Sequence, residues 1–153
     1  MRPLSGDQKP VLVARPLSGY PDQAQFSPDG RWIAFHANDS GRSEVYVVPF
    51  PPTGDKWQIS TAGGGQPTWR RDGRELYLLA PDATPMAVDI RPAAKLEWGE
   101  PRPLFKTPLS VGYNVEQYAP APDGKRFLFQ VPNLQGSKAP FAVILNWTSL
   151  LKK

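Results

Sequence analysis

Not one of the 153 residues is cysteine. That excludes disulfides, a thiolate nucleophile and cysteine-held metals, and it leaves the redox compartment unmarked. Histidine is nearly missing too, with His36 standing alone. An imidazole base or metal ligand needs partners. His36 follows Phe35 at the end of an apolar alternation, where a structural role is the simpler reading. No serine lies in a Gly-x-Ser-x-Gly elbow, so a hydrolase triad does not assemble around this one imidazole. Gly63-Gly64-Gly65 lacks the Gly-Lys-Ser/Thr of a phosphate loop and reads as a connection. No metal or cofactor is expected.

Long apolar runs are absent as well. No stretch approaches the roughly 20 residues of a membrane helix. The start, Met1-Arg2-Pro3-Leu4-Ser5-Gly6, has no apolar h-region, so an export signal would have to lie upstream. Charge of one sign is modest, at a net +4, and no basic run exceeds two residues. A nucleic-acid surface clusters its cations, so nucleic acid is not the expected partner. No segment keeps a helical period. Proline supplies 19 of 153 residues, more than twice its ordinary share of about 5%. Prolines at 49–52, 81–85 and 101–108 interrupt any long helix.

What is present is a repeat. Gln23 to Phe35, Gln66 to Leu78 and Gln117 to Phe129 share one pattern. Each has Gln six residues before Asp-Gly, a cation after the Gly (Arg31, Arg74, Lys125), and apolar residues three and five places beyond it. The Asp residues, Asp29, Asp72 and Asp123, lie 43 and then 51 residues apart. Asp-Gly between alternating apolar runs signals a hairpin, with positive φ expected at both central positions. The turn accounts for all three carboxylates, so they do not read as a catalytic set.

Strands are expected at Val11–Ala14, around Gln25–Phe26, at 31–37, 44–48, 57–61, 67–69, 75–79, 86–90, 103–106, 117–119, 126–131 and 141–146. Residues 91–101 are expected as a long connection. Four short antiparallel strands per 40–50 residues is the sequence signature of a propeller blade. The expected fold is therefore all-β, with about three four-stranded blades, half of a six-bladed propeller. The divisions are an outer strand at 10–16, blades at 20–61 and 66–107, and an incomplete blade at 117–147. The strand at 10–16 resembles the one at 103–108 in its flanking prolines and apolar centre, and the third unit lacks such a strand. If the chain exists alone, the expectation is a homodimer in which Val11–Ala14 of each chain pairs with Phe141–Leu145 of the other; the alternative is that the missing blades lie upstream in a longer parent.

Phe26-Ser27-Pro28-Asp29-Gly30-Arg31-Trp32-Ile33-Ala34-Phe35 resembles the core of the WD40-like, TolB-type propeller repeat. The second copy has Arg70-Arg71 in place of Ser-Pro, and the third has Pro120 at the aromatic position. Glu44 to Pro51, Trp57 to Thr61 and Leu145 to Thr148 are similar to the C-terminal propeller region of bacterial eukaryotic-like serine/threonine kinases, although no kinase motif is present. The resemblance implies a non-catalytic module that binds a protein, peptide or small ligand near a central channel, in an extracytoplasmic setting. The alternative it leaves open is a propeller accessory to a serine peptidase of the α/β-hydrolase kind.

Gln23, Gln66 and Gln117 precede the first strand of each unit, which in a propeller lies nearest the channel. They read either as a hydrogen bond repeated from blade to blade, or as the channel mouth, with Asp22, Glu116 and Tyr118 beside them. Asn38-Asp39-Ser40 and Asn146-Trp147-Thr148 fit a glycosylation sequon, a pattern common by chance.

Overall fold

A computed structural model describes residues 10–15, 21–93, 95–112, 115–130 and, as backbone, 141–145. The first blade is β1 (Asp22–Phe26), β2 (Trp32–Ala37), β3 (Glu44–Pro49) and β4 (Trp57–Gln58), each antiparallel to the last. The second is β5 (Gly65–Trp69), β6 (Glu75–Leu79) and β7 (Pro85–Pro92), with β8 (Leu96–Trp98) and β9 (Arg102–Pro103) both paired to β7. The third is β10 (Tyr118–Pro120), β11 (Arg126–Gln130) and β12 (Phe141–Leu145). Among the described residues there is no helix.

The Asp-Gly hairpins share one geometry. In each, the Gly N–H donates to the carbonyl three residues back, Ser27, Arg70 or Ala121, at 2.9 Å. Only the glycines take positive φ, at 71°, 71° and 67°. The expectation of two left-handed residues is corrected: these are type I turns followed by a left-handed Gly. Pro28 and Pro122 occupy the second position, where φ near −65° suits a type I turn. The Asp carboxylate then accepts the N–H two residues on, from Arg31 (3.1 Å), Arg74 (3.0 Å) and Lys125 (2.9 Å).

Alternation sends side chains to both faces of each sheet, and each face meets a different neighbour. Trp32, Ala34, Val45 and Val47 pack on Trp69, Leu76, Leu78, Val88 and Ile90 of the second blade. Tyr77, Leu79 and Ala87 pack on Tyr118, Phe127 and Phe129 of the third. Ile33, Phe35, Tyr46 and Val48 face the other way and form their own cluster. Each fully buried side chain of this kind contributes roughly 1.5–3 kcal/mol.

Two elements depart from expectation. The connection 91–101 contains β8, which sets Trp98 6.3 Å from Trp57, itself 5.6 Å from Trp32. An indole chain across the first junction thus gives that stretch an anchor. Residues 10–15 are not a strand. A strand needs a ladder partner, and no described strand is paired with this stretch. It lays Val13 and Ala14 on the outward cluster of the first blade instead. Val131 and residues 146–153 lie outside the described residues.

The hairpin glycines differ in what surrounds them. A Cβ on Gly30 would meet nothing within 4 Å, whereas one on Gly124 would lie 2.6 Å from the Tyr77 hydroxyl and 2.9 Å from Arg70 Cδ. Gly30→Ala should therefore cost only the left-handed backbone, about 1–2 kcal/mol. Gly124→Ala should cost at least about 1 kcal/mol more, because the third hairpin must lift off the second blade. Urea unfolding of the two variants measures the difference.

Candidate functional site

The repeated glutamines sit on irregular backbone. On β1, Asp22 faces His36 and Gln25 faces Ala34, so the strand carries one extra residue, and β5 does the same between Gly65 and Thr68. The bulged residues are Gln23 at φ 52° and Gln66 at φ 54°. A non-glycine residue there costs on the order of 1–3 kcal/mol, which the surroundings must offset.

At Gln66 the offset is visible. Its side-chain oxygen accepts the Gln117 N–H at 2.7 Å, and its amide donates to Gln117 Oε1 at 3.0 Å and to the Gly112 carbonyl at 3.2 Å. Gln117 donates to the Ser110 carbonyl at 2.9 Å and accepts the Gly112 N–H at 2.7 Å. The Tyr118 hydroxyl donates to the Gln66 carbonyl at 2.8 Å, and burial pushes its pKa far above the ordinary phenol value. Gln66, Gln117 and Tyr118 are all buried. Together they bolt the second blade to the third and to the 110–112 loop.

Gln23 differs. Its side-chain oxygen is buried with no donor. Asp22 is exposed, accepts the Gln23 N–H at 2.8 Å and faces His36 across the sheet. Glu116 is exposed. Gln23, Gln25, Gln66, Thr68, Glu116 and Tyr118 line one crevice, too tight to admit a water molecule. The candidate residues are thus brought together, but they divide: Gln66, Gln117 and Tyr118 are internal, and Asp22, Gln23 and Glu116 form the reachable rim.

His36 is buried, with Nδ1 3.5 Å from the Gln66 N–H. Burial lowers its pKa below 6.5, against the pull of Asp22. The three turn carboxylates stay in separate hairpins. Arg70 and the Arg74 N–H hold Asp72 low. At Asp29 burial works the other way, but the Ser27 hydroxyl and the Arg31 N–H prevail.

Two buried carboxylates were not legible in the sequence. Glu44, fully buried, accepts from Arg42 Nε (2.7 Å), the Gly63 N–H (3.0 Å) and the Ser60 hydroxyl. Glu75 accepts from Arg70 (2.7 Å), the Tyr77 hydroxyl (2.7 Å) and Arg102. Burial, then the Glu75 hydrogen bond, drives the Tyr77 phenol strongly upward. Both carboxylates are engaged as structural acceptors. The only prior sign of them was a nearby arginine. Among the described residues no group of His, Asp and Glu has metal-binding geometry.

No family model matches the chain, and no curated protein does. Among solved structures it is similar to TolB from Acinetobacter baumannii, with a TM-score of 0.51 and 20% identity, over 77% of this chain and 28% of that one. It is also similar to a protein described as a candidate 6-phosphogluconolactonase from Bacteroides uniformis, at a TM-score of 0.48 and 21% identity, over 72% and 33%. The chain spans a third or less of the length of these structures. The TolB likeness shows the fold: the chain is built of β-propeller blades.

Gln66→Ala should destabilise by about 2–4 kcal/mol, because the buried Gln117 N–H and Gly112 carbonyl lose their partners. Gln23→Ala should cost under about 1 kcal/mol, since its oxygen has no donor to lose. Denaturant midpoints of the pair test this contrast.

Acid should also act through His36. Its folded pKa lies below the unfolded value near 6.5, so the unfolded chain takes up a proton that the fold resists. The contribution is full above pH 6.5 and declines as pH falls below it. His36→Gln should flatten the slope of unfolding free energy between pH 6.5 and about 5.

Proposed function

We propose that the chain is a non-catalytic β-propeller module that binds a protein or peptide. It belongs to a larger bacterial protein of the receptor-kinase-like or TolB-like kind and works outside the cytoplasm. The context rests on the resemblance of Glu44 to Pro51 and Trp57 to Thr61, which here are β3, β4 and the turn between them. The observation that carries the binding reading is the division of the channel-mouth set. The exposed part of the rim carries two negative charges, the Asp22 and Glu116 carboxylates. Such a rim suits donors, namely backbone N–H groups and a positive charge, and so an extended basic peptide. The left-handed Gln23 is the strained residue at its centre.

The test is a peptide array probed with the purified chain, followed by titration of a retained basic peptide. The expected result is binding that weakens about tenfold or more in the Asp22→Asn, Glu116→Gln double variant, with thermal stability unchanged. Equal binding by that variant overturns the rim as the site. A hydrolase activity lost in His36→Ala overturns the non-catalytic reading.

A further inference from the structure

At both internal junctions the outermost segment of one blade reaches onto the face of the next. Ile59, just after β4, is buried among Leu76, Leu78, Val88 and Ile90. Leu104 and Phe105, just after β9, are buried against Tyr118, Phe127 and Phe129. Val13 and Ala14 lie on Ile33, Phe35, Tyr46 and Val48 in the same way. Residues 10–15 therefore occupy the place of an outer segment belonging to a blade before the first. They form no strand, because no third strand of such a blade lies beside them.

The opposite end shows the reciprocal arrangement among the described residues. β3 carries β4 on its outer side and β7 carries β9, but β12 is paired only to β11 among the described strands. On β11 the buried Phe127 and Phe129 alternate with exposed Arg126, Leu128 and Gln130. Of the large apolar side chains exposed among the described residues, Val11, Leu12 and Phe26 lie at one end and Leu128 at the other, while Trp98 and Val115 lie elsewhere. At the first end Leu12, Ala24, Phe26, Ile33 and Phe35 line a groove of about 380 Å³. Apolar patches of this kind mark interaction sites.

We propose that the occupant of this groove is a second copy of the chain. Residues 10–15 of one copy pair with β12 of the other, and the Leu128 face of that copy packs on Ile33 and Phe35. A twofold axis repeats the contact, so neither edge is left open. The inference rests on the propeller reading of the fold and is independent of peptide binding.

Sedimentation and light scattering of the 153-residue chain test it. The expected mass is twice 16.9 kDa. Leu128→Glu changes a residue already exposed in the single chain, so it should give a folded monomer with unchanged circular dichroism. Val13→Asp should also break the dimer. The contact is head-to-tail, so mixing the two monomeric variants should restore a weaker one-to-one complex through the end intact in each. A monomeric parent overturns the proposal, as does a dimer that survives Leu128→Glu. If Val13→Asp unfolds, Leu128→Glu decides alone. A monomer that still binds peptide removes the dimer and leaves the binding module; a dimer without peptide binding does the reverse.

Discussion

The first two blades are apolar on both faces, and each face must be covered by a neighbouring segment. The rest of the structure follows from this constraint. β2 and β6 are buried at every position, where a sheet with one wet face would alternate buried and exposed residues. Trp32 and Ala34 look toward the second blade while Ile33 and Phe35 look away from it. A single blade has no interior of its own, so stability resides at the junctions. The outward cluster around Ile33 and Phe35 is covered by Val13 and Ala14 rather than by a sheet.

Buried polar groups make the junctions specific. Apolar faces can slide, but Gln66 meets Gln117 in two hydrogen bonds of fixed direction, and Tyr118 adds a third. Within the second blade, Glu75 fixes Arg70 and Tyr77. The third hairpin comes so close to that cluster that only a glycine fits at position 124. Each group is satisfied, which low-dielectric surroundings require, since an unpaired buried acceptor costs more than a neutral pair contributes. Among the described residues the exceptions are the Gln23 oxygen and the Trp32 indole N–H, both in the first blade.

The same reasoning separates scaffold from reachable surface. Residues with catalytic chemistry, His36, Glu44, Glu75 and Tyr77, are buried and committed to the frame. What remains accessible beside Gln66 and Gln117 includes the Asp22 and Glu116 carboxylates. In the proposed function that rim recognises a ligand by charge and hydrogen bonding.

The blade repeat was legible in the sequence because it is local physics. Asp-Gly sets the hairpin, apolar residues three and five places on set the buried face, and proline excludes helix. The hairpin's turn type was misjudged because the Asp carboxylate caps the N–H two residues ahead, a choice that propensity alone does not reveal. The repeated Gln was visible as a pattern, and both of its readings were open. Only the tertiary structure could divide the set. Gln66 and Gln117 are 51 positions apart, and whether their amides meet depends on how two blades pack. The burial of Glu44 and Glu75 has the same origin. For residues 10–15, composition announced a strand, but a strand exists only beside a partner, and pairing is a property of what packs next to the chain.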